Sequence, residues 1–368
     1  MILVAAAIGF FLVLLGVPVA ERYLAASGIY GRDQQKEGKP ALPTSGGIIV
    51  LMGFIIAITF YAGATSIFSE TVLDKELLFA AVSSTTLIAL IGLVDDIHVD
   101  INNLIAGEIH EDVLIDIETG KTFIHEKADL FFGVSDAEED RKGLSQAVKA
   151  LMVLPAAFPL IAVGAGSWSM NLPFIGVIEW GLIYPLILLP VGLLFVSNVV
   201  NMLAGTNGLA ASAALIASGA MGIFAYQNGA LEAAALSLSL SAALIGFLYY
   251  NWYPATILPG DSLTYLSGAT IFSAMVIGNM EWFGVFLFMP WMLEFFLKAR
   301  SGFDARSWGD LDSEGNLNSF YDKKYSLTHF FMDKGLNEEQ ITLRIASVLA
   351  VWASFVLLLF KYAPFLSA

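Results

Sequence analysis

The chain has 368 residues, of which 57% are hydrophobic and only 14% are charged, and its mean hydropathy is +0.73. A soluble domain carries about 25% charged residues, so this composition excludes a soluble globular protein and predicts a polytopic membrane protein. The net charge of −15 argues against nucleic acid as a partner. The chain contains no cysteine, which excludes disulfides, thiolate metal sites and a cysteine nucleophile.

Ten apolar runs are long enough to cross a bilayer. They lie near 1–20, 46–64, 77–94, 147–165, 176–197, 208–226, 231–249, 263–279, 282–299 and 342–362. The first run lacks a basic leader and an evident cleavage site, which indicates a retained span rather than a signal peptide. The expected fold class is therefore an all-α polytopic membrane protein with about ten transmembrane helices, built as one integral-membrane domain over 1–368.

The basic residues predict the orientation of these spans. An even number of spans puts both termini on one side of the membrane. All but two of the eighteen lysines and arginines, Lys75 and Lys361, fall in loops on the other side. Because basic loops favour the cytoplasm, we expect a multi-pass protein of the cell membrane, or of the endoplasmic reticulum membrane in a eukaryote, with both termini outside. The cytoplasmic loops are then 21–45, 95–146, 198–207, 250–262 and 300–341.

The second cytoplasmic loop contains an acidic insertion over 97–143. Within it, residues 112–125 (DVLIDIETGKTFIH) alternate apolar and polar side chains around a Glu-Thr-Gly-Lys turn, which predicts a small β-hairpin. From Ser135 onward, a capping serine is followed by acidic and then basic residues. This order predicts a helix that leads into the fourth span.

Asp95 and Asp96 end the third apolar run, where adjacent carboxylates are costly and rarely lack a partner. They can hold Mg²⁺, or one can act as a base while the other binds metal. The alternative is an acid pair that is simply solvated where the span ends. Lys149 opens the fourth run, where it can reach phosphate oxygens or merely extend its ammonium group into water.

Asparagines and glycines interrupt the apolar sequence at 197–209 (SNVVNMLAGTNGL). Asn201 and Asn207 offer amide oxygens to a metal or amide groups to a base edge, while Gly205 and Gly208 let the backbone approach a ligand. Packing of small residues with satisfied amides is the alternative interpretation.

Two further loops carry candidate residues. In 251–262 (NWYPATILPGDS), Asp261 begins the next span and serves either as a helix cap or as a site residue. In the cytoplasmic loop 300–341, Arg306 and His329 lie among basic and aromatic residues. This loop can bind phosphate, but ordinary positive-inside charge explains it equally well, and His329 can instead make a structural hydrogen bond.

Four segments resemble the polyprenyl-phosphate N-acetylhexosamine-1-phosphate transferases of glycosyltransferase family 4. They are PTSGG at 43–47, GLVDD at 92–96, NVVNMLAGTNGL at 198–209 and NWYPATILPGDS at 251–262. The last two resemble most closely the branch that transfers GlcNAc-1-phosphate from UDP-GlcNAc to dolichyl phosphate, and an archaeal-type member is expected. With the ten predicted spans, the resemblance covers most of the chain, but the acidic insertion has no clear counterpart.

The resemblance implies roles at the matching positions. Asp95 and Asp96 correspond to the catalytic acid pair, and Lys149 to a lysine that binds the diphosphate. Asn201 and Asp261 correspond to positions that hold Mg²⁺, for which Mn²⁺ can substitute.

The nucleotide-binding positions follow from the same resemblance. Asn207 with Gly205 and Gly208 corresponds to the uridine-binding turn. The last cytoplasmic loop matches the family only loosely, so Arg306 and His329 are candidates for phosphate binding and correspond to no specific family position.

The implied function is transfer of GlcNAc-1-phosphate from UDP-GlcNAc to a polyprenyl (dolichyl) phosphate at the cytoplasmic face, with release of UMP. This is the first step of lipid-linked oligosaccharide assembly for N-glycosylation. The partners are UDP-GlcNAc, the lipid phosphate, the lipid bilayer and, in a homodimer, a second copy. Another UDP-HexNAc or undecaprenyl phosphate is the alternative within the family.

Two other functional classes fit the sequence less well. An ion-coupled transporter gathers its polar residues near the middle of the bilayer, whereas here they cluster at one face. An intramembrane aspartyl protease requires Gly-x-Gly-Asp, but Leu258-Pro259-Gly260 precedes Asp261.

Overall fold

The computed structural model describes residues 1–97, 134–136, 142–144, 152–172 and 176–363. Within them the chain forms the predicted all-α polytopic membrane protein. The helices are α1 (Ile2–Ala26), α2 (Gly47–Phe68), α3 (Lys75–Asp96), α4 (Phe158–Ala162), α5 (Leu189–Met202), α6 (Leu209–Gln227), α7 (Leu231–Asn251), α8 (Gly260–Ile277), α9 (Glu281–Leu287), α10 (Met289–Ala299) and α11 (Glu338–Tyr362). A π-helical turn, Tyr184–Leu188, leads directly into α5.

Seven helical segments of the described chain are long and apolar enough to cross a membrane: α1, α2, α3, the π-turn with α5, α6, α7 and α11. Helices α9 and α10 are separated by a short break at which the chain bends by 57°. Counted together, they form an eighth span. These eight match eight of the ten predicted runs. The predicted run at 263–279 forms α8. Of the run at 147–165, residues 152–165 lie among the described residues.

Helix α8 lies at the centre of the bundle and packs against α2, α3, α5, α6 and α7. Every residue from Ser262 to Val276 is buried. Two of its hydroxyl groups donate to carbonyls one turn back, Ser267 to Leu263 at 2.7 Å and Thr270 to Leu266 at 2.8 Å. Because α8 faces protein rather than lipid, it tolerates a polarity that lipid-facing helices avoid.

Close packing of α8 depends on a glycine in α3. A Cβ atom added to Gly92 would lie 2.6 Å from the carbonyl carbon of Asp261 and 2.7 Å from the backbone nitrogen of Ser262. The absence of a side chain at Gly92 therefore lets the last turn of α3 rest directly on the first turn of α8.

The strands form four separate two-stranded antiparallel pairs. They are β1 (Tyr30–Arg32) with β2 (Ala41–Pro43), β3 (Val134–Asp136) with β4 (Lys142–Leu144), β5 (Ser169–Leu172) with β6 (Gly176–Glu179), and β7 (Asp310–Leu311) with β8 (Leu317–Asn318). The β-hairpin predicted at 112–125 lies outside the described residues.

Two predicted helical stretches are wrong. The helix predicted from Ser135 is replaced by the β3–β4 pair, in which Ser135 faces Gly143; glycine is a poor helix former and favours this alternative. The span predicted from residue 176 begins instead at Tyr184, because Gly176–Glu179 pairs as β6. Gly176 and Gly181 adopt positive φ angles of 94° and 53°, which a helix does not allow.

The polar loops gather at one end of the bundle. Helix α1 leads into the β1–β2 hairpin, and Gln35 in that hairpin donates to the carbonyl of Gly205 in the loop after α5. Helix α11 begins at the same place, where Glu338 contacts the same loop. The other ends of α1 and α11 therefore point towards the opposite end of the bundle. Which membrane face each end occupies stays a prediction.

Candidate active site

The segment 43–47 and the segment 251–262, which are far apart in sequence, run side by side. The amide of Gly46 donates to the Leu258 carbonyl at 3.1 Å, that of Gly47 to Pro259 at 3.0 Å, and that of Leu258 to Pro43 at 2.8 Å. These backbone hydrogen bonds fix the approach to α8. The beginning of α8 is therefore built jointly by the two predicted segments.

Asp96 caps this end of α8 from the neighbouring helix. Its Oδ1 accepts a hydrogen bond from the amide of Asp261 at 2.7 Å, and its Oδ2 accepts one from the amide of Ser262 at 3.1 Å. The first amides of a helix have no partner within the helix, and their positive end favours a carboxylate. Asp96 is almost fully buried, so its role in the described structure is to hold the start of α8 and thereby Asp261.

Asp95 lies beside Asp96 at the end of α3 and is also buried. The phenol of Tyr265 lies within electrostatic range of Asp95, Asp96 and Asp261, and beside the side chain of Asn201. The structure therefore brings together the four predicted residues of the acid pair and the metal site. Sequence reasoning missed Tyr265, although it lies four residues after Asp261 and so shares a helix face with it.

Asn201 and Asp261 meet on either side of Thr264. The Thr264 hydroxyl lies 3.0 Å from Oδ1 of Asn201 and 3.1 Å from the backbone oxygen of Asp261. Within the described part of the chain, no group of three or more His, Cys, Asp or Glu side chains could enclose a metal ion. One amide oxygen and one carboxylate still fit Mg²⁺, which usually keeps several waters and takes substrate phosphates as further ligands.

The predicted turn around Asn207 is present and firmly held. The amide of Asn207 donates to Oε1 of Glu338 at 2.6 Å, and its Nδ2 donates to Oδ2 of Asp33 at 3.0 Å. The Thr342 hydroxyl lies 3.1 Å from the Asn207 carbonyl. Gly208 adopts a φ of 77° and rests against the ring of Trp252. The turn thus takes its shape from the β1–β2 hairpin and from α11.

Arg306 is exposed, and its guanidinium lies 5.7 Å from the centre of the Trp308 ring. The following residue ties this loop to the site, because the hydroxyl of Ser307 donates to the carbonyl of Met202 at 3.0 Å, next to Asn201. Arg306 is therefore carried at the same end of the bundle as the other predicted site residues.

His329 is fully buried beneath the same loop. Its Nε2 lies 2.8 Å from the carbonyl of Arg306, and its Nδ1 accepts from the amide of Tyr325 at 3.2 Å. Burial lowers the pKa of His329, which favours the neutral ring that this pattern requires. In the described structure His329 supports the loop, while phosphate binding by this residue stays a prediction.

Several contributors to the site carry no local sequence signal. Asp33 and Glu338, which hold the Asn207 turn, were absent from the sequence interpretation, and Lys36 appeared there only as a cytoplasmic charge. Lys149 lies outside the described residues.

Two apolar grooves lie near this end of the bundle. One, of about 220 Å³, is lined by Leu87, Leu90, Ile91 and Val94 of α3 and by Met152, Pro155 and Ala156. It adjoins the turn of α3 that ends in Asp95 and Asp96. The other, of about 290 Å³, lies between α10 and α11. Leu90 and Val94 are each about half exposed, so the first groove offers apolar surface next to the carboxylates.

Comparison with known proteins places the chain among membrane-bound sugar-phosphate transferases. The model for glycosyl transferase family 4 matches residues 128–279. A protein of Saccharolobus solfataricus, provisionally named as a UDP-N-acetylglucosamine–dolichyl-phosphate N-acetylglucosaminephosphotransferase, is 30% identical over 362 residues, 97% of this chain and 96% of that protein. A Sulfolobus acidocaldarius protein with the same provisional name is 28% identical over 92% of this chain and 89% of its own length.

A bacterial relative matches a shorter part of the chain. A Bacillus subtilis protein, provisionally named as an undecaprenyl-phosphate N-acetylglucosaminyl 1-phosphate transferase, is 30% identical over 38% of this chain and 39% of its own length. The archaeal match, by contrast, spans nearly the whole of both chains and includes all four converging segments. The resemblance seen in the sequence is confirmed: this chain belongs to glycosyl transferase family 4.

Proposed function

We propose that this protein transfers GlcNAc-1-phosphate from UDP-GlcNAc to a dolichyl or related polyprenyl phosphate and releases UMP. The observation that carries the proposal is the meeting of Asp95, Asn201 and Asp261 around Tyr265 at one end of a membrane bundle. The two archaeal relatives, which match almost the full chain, are named for this reaction. A polar site at the end of a bundle also favours an enzyme over a transporter, whose site lies near the middle of the membrane.

The position of the site suits one soluble and one lipid substrate. The groove beside α3 can receive the first isoprene units of the acceptor, since its apolar wall ends where Asp95 begins. The lipid phosphate would then lie among the polar residues, within reach of a water-soluble sugar nucleotide. We place this end of the bundle at the cytoplasmic face because nearly all basic residues belong to its loops.

Each residue of the site has its own proposed role in the transfer. Asn201 and Asp261 would hold Mg²⁺, which when bound screens the repulsion between the two phosphate groups. Arg306, with Lys149, neutralises the oxygens of the diphosphate. Asp96 fixes the start of α8, and Asp95 orients the lipid phosphate or accepts a residual proton from it.

The bond changes follow directly. An oxygen of the lipid phosphate forms a bond to the β-phosphorus of UDP-GlcNAc, and the bond from that phosphorus to the bridging oxygen breaks, so that UMP leaves with the bridging oxygen. A phosphomonoester has its second pKa near 6, so at neutral pH it is mostly a dianion and needs little help from a base. Both oxygens of Asp96 are bound to backbone amides, which disfavours Asp96 as a covalent nucleophile.

The test is acceptor-dependent release of UMP by the purified full chain. We expect UMP from UDP-GlcNAc with dolichyl phosphate and Mg²⁺ or Mn²⁺, and none after chelation of the metal. UDP-GalNAc and undecaprenyl phosphate serve as matched alternatives that define the sugar and the lipid. Failure to release UMP from any UDP-sugar with either lipid would overturn the proposal.

A further inference from the structure

A buried cluster of charged and polar side chains lies behind the Asn207 turn and takes no part in the proposed bond changes. We call it the turn clamp; its members are Asp33, Gln35, Lys36, Glu338 and Thr342. Asp33 and Glu338 are only 5% and 3% exposed. Lys36 forms an ion pair with Glu338 and lies 3.6 Å from Asp33. The clamp joins the β1–β2 hairpin to the first residues of α11.

The clamp engages the turn at three successive residues, Gly205, Thr206 and Asn207. Gln35 donates to the carbonyl of Gly205. Thr342 forms a 2.6 Å hydrogen bond with the Thr206 hydroxyl and contacts the Asn207 carbonyl at 3.1 Å. Glu338 accepts from the Asn207 amide at 2.6 Å. A loop held at each of these residues cannot change shape without breaking the clamp.

The charge balance shows what the clamp is suited to do. A buried carboxylate is costly unless it is paired and hydrogen-bonded. Here two carboxylates share the ammonium of Lys36, and both also accept hydrogen bonds from Asn207. The cluster therefore carries an excess negative charge, which repels phosphate, so its role is structural support for the turn rather than contact with the diphosphate.

The same cluster reaches the segment that leads to Asp261. The ammonium of Lys36 lies 4.1 Å from the centre of the Tyr253 ring. The indole of Trp252 donates to Glu339 at 3.1 Å and lies against Gly208. The clamp thus connects the Asn207 turn with the 251–262 segment.

We propose that Glu338 is a positioning residue, which acts through Asn207 to hold the turn in the shape that receives the nucleotide part of the UDP-sugar. This inference rests on the proposed function. It concerns binding of the donor and leaves the chemical step to the residues around Tyr265. Loss of Glu338 should therefore weaken donor binding while leaving turnover at saturation nearly unchanged.

The experiment compares Glu338→Ala with wild type in the purified full chain. We expect the KM for UDP-GlcNAc and the dissociation constant for UDP, measured by calorimetry, each to rise by roughly tenfold, as for loss of a hydrogen bond to a charged group, with kcat changed by less than about twofold. Arg344→Gln is the matched control, because Arg344 is an exposed charge on the same helix; its KM should stay at the wild-type value.

A rescue variant separates positioning from general damage. The conservative variant Glu338→Gln keeps an acceptor for the Asn207 amide and leaves Lys36 beside Asp33, so its KM should stay within about threefold of wild type. If Glu338→Ala does not fold, Thr342→Val, which removes only a hydroxyl, is expected to raise the KM in the same way.

The outcomes distinguish this inference from the proposed function. Wild-type transfer with an unchanged KM in Glu338→Ala, or in Thr342→Val where Glu338→Ala does not fold, would overturn the inference alone. A fall in kcat with no change in KM would also overturn it. Absence of UDP-GlcNAc binding and transfer in the wild type would overturn the proposed function, and this inference with it.

Discussion

Asp96 and Asp261, from helices α3 and α8, are joined by a 2.7 Å hydrogen bond that the backbone amide of Asp261 donates to Asp96 Oδ1. The two aspartates thus meet through the main chain of Asp261. The two adjacent acids at the end of α3 therefore have different roles. Asp96 caps α8 with both carboxylate oxygens, and Asp95 lies beside it within electrostatic range of Tyr265.

We therefore predict different outcomes for the two acids. Asp96→Ala removes a carboxylate from two helix-terminal amides and should lower the free energy of unfolding by about 1–2 kcal/mol. Its transfer activity should fall as well, because the start of α8 loses its support. Asp95→Asn should leave the thermal melting temperature near that of wild type but reduce transfer by at least about tenfold.

Thermal melting in detergent and UMP release from the same preparations check both variants. Near-normal transfer in both would remove the acid pair from the mechanism. If Asp95→Asn had a melting temperature as low as that of Asp96→Ala, the structural role would not belong to Asp96 alone, and the prediction would be contradicted.

The sequence predicts most spans and the meeting of the four segments, because both depend on local features: apolar runs long enough to cross a bilayer, and short polar groups at their ends. The clamp was not predictable in this way. Lys36 and Glu338 are separated by 302 positions, and each alone resembles an ordinary charge at a membrane surface. The path of residues 176–184 was misassigned because Gly176–Glu179 is apolar enough for a span yet pairs with Ser169–Leu172.

Gly92 provides a test of the packing between α3 and α8. Gly92→Ala places a methyl group against the backbone of Asp261 and Ser262 at 2.6–2.7 Å, where no flexible side chain can give way. We expect a loss of about 1–3 kcal/mol in the free energy of unfolding and a strong fall in transfer.

Gly63→Ala in α2 is the matched control, since a Cβ atom there would meet nothing within 4 Å. It should change the free energy of unfolding by less than about 1 kcal/mol and leave transfer unchanged. Equal behaviour of the two alanine variants in denaturant titration and UMP release would contradict the packing argument.

The proposed metal site can be tested by substituting Thr264, which leaves the proposed ligands Asn201 and Asp261 unchanged. The hydroxyl of Thr264 lies 3.0 Å from the amide oxygen of Asn201, and outer hydrogen bonds of this kind orient metal ligands. Thr264→Val keeps the shape but removes the hydroxyl, so the Mg²⁺ concentration for half-maximal transfer should rise by roughly tenfold. Thr264→Ser should stay close to wild type.

Direct binding of Mn²⁺, followed by electron paramagnetic resonance in the presence of UDP, provides a second measurement for the Thr264 variants. The affinity for Mn²⁺ should fall in Thr264→Val and be retained in Thr264→Ser. An unchanged metal dependence in Thr264→Val would separate Thr264 from the metal site.

The loop that carries Arg306 should lose stability in acid, because it encloses His329 in its neutral form. Burial lowers the pKa of His329 below its ordinary value of about 6.5. As pH falls through that value the unfolded chain takes up a proton that the folded chain does not, so the free energy of unfolding decreases with falling pH. At pH 8 the melting temperature of His329→Gln should be lower than that of wild type, since the variant loses the hydrogen bonds of the imidazole to Arg306 and Tyr325. The difference in melting temperature should narrow between pH 7 and pH 5, and a constant difference would show that His329 does not titrate as described.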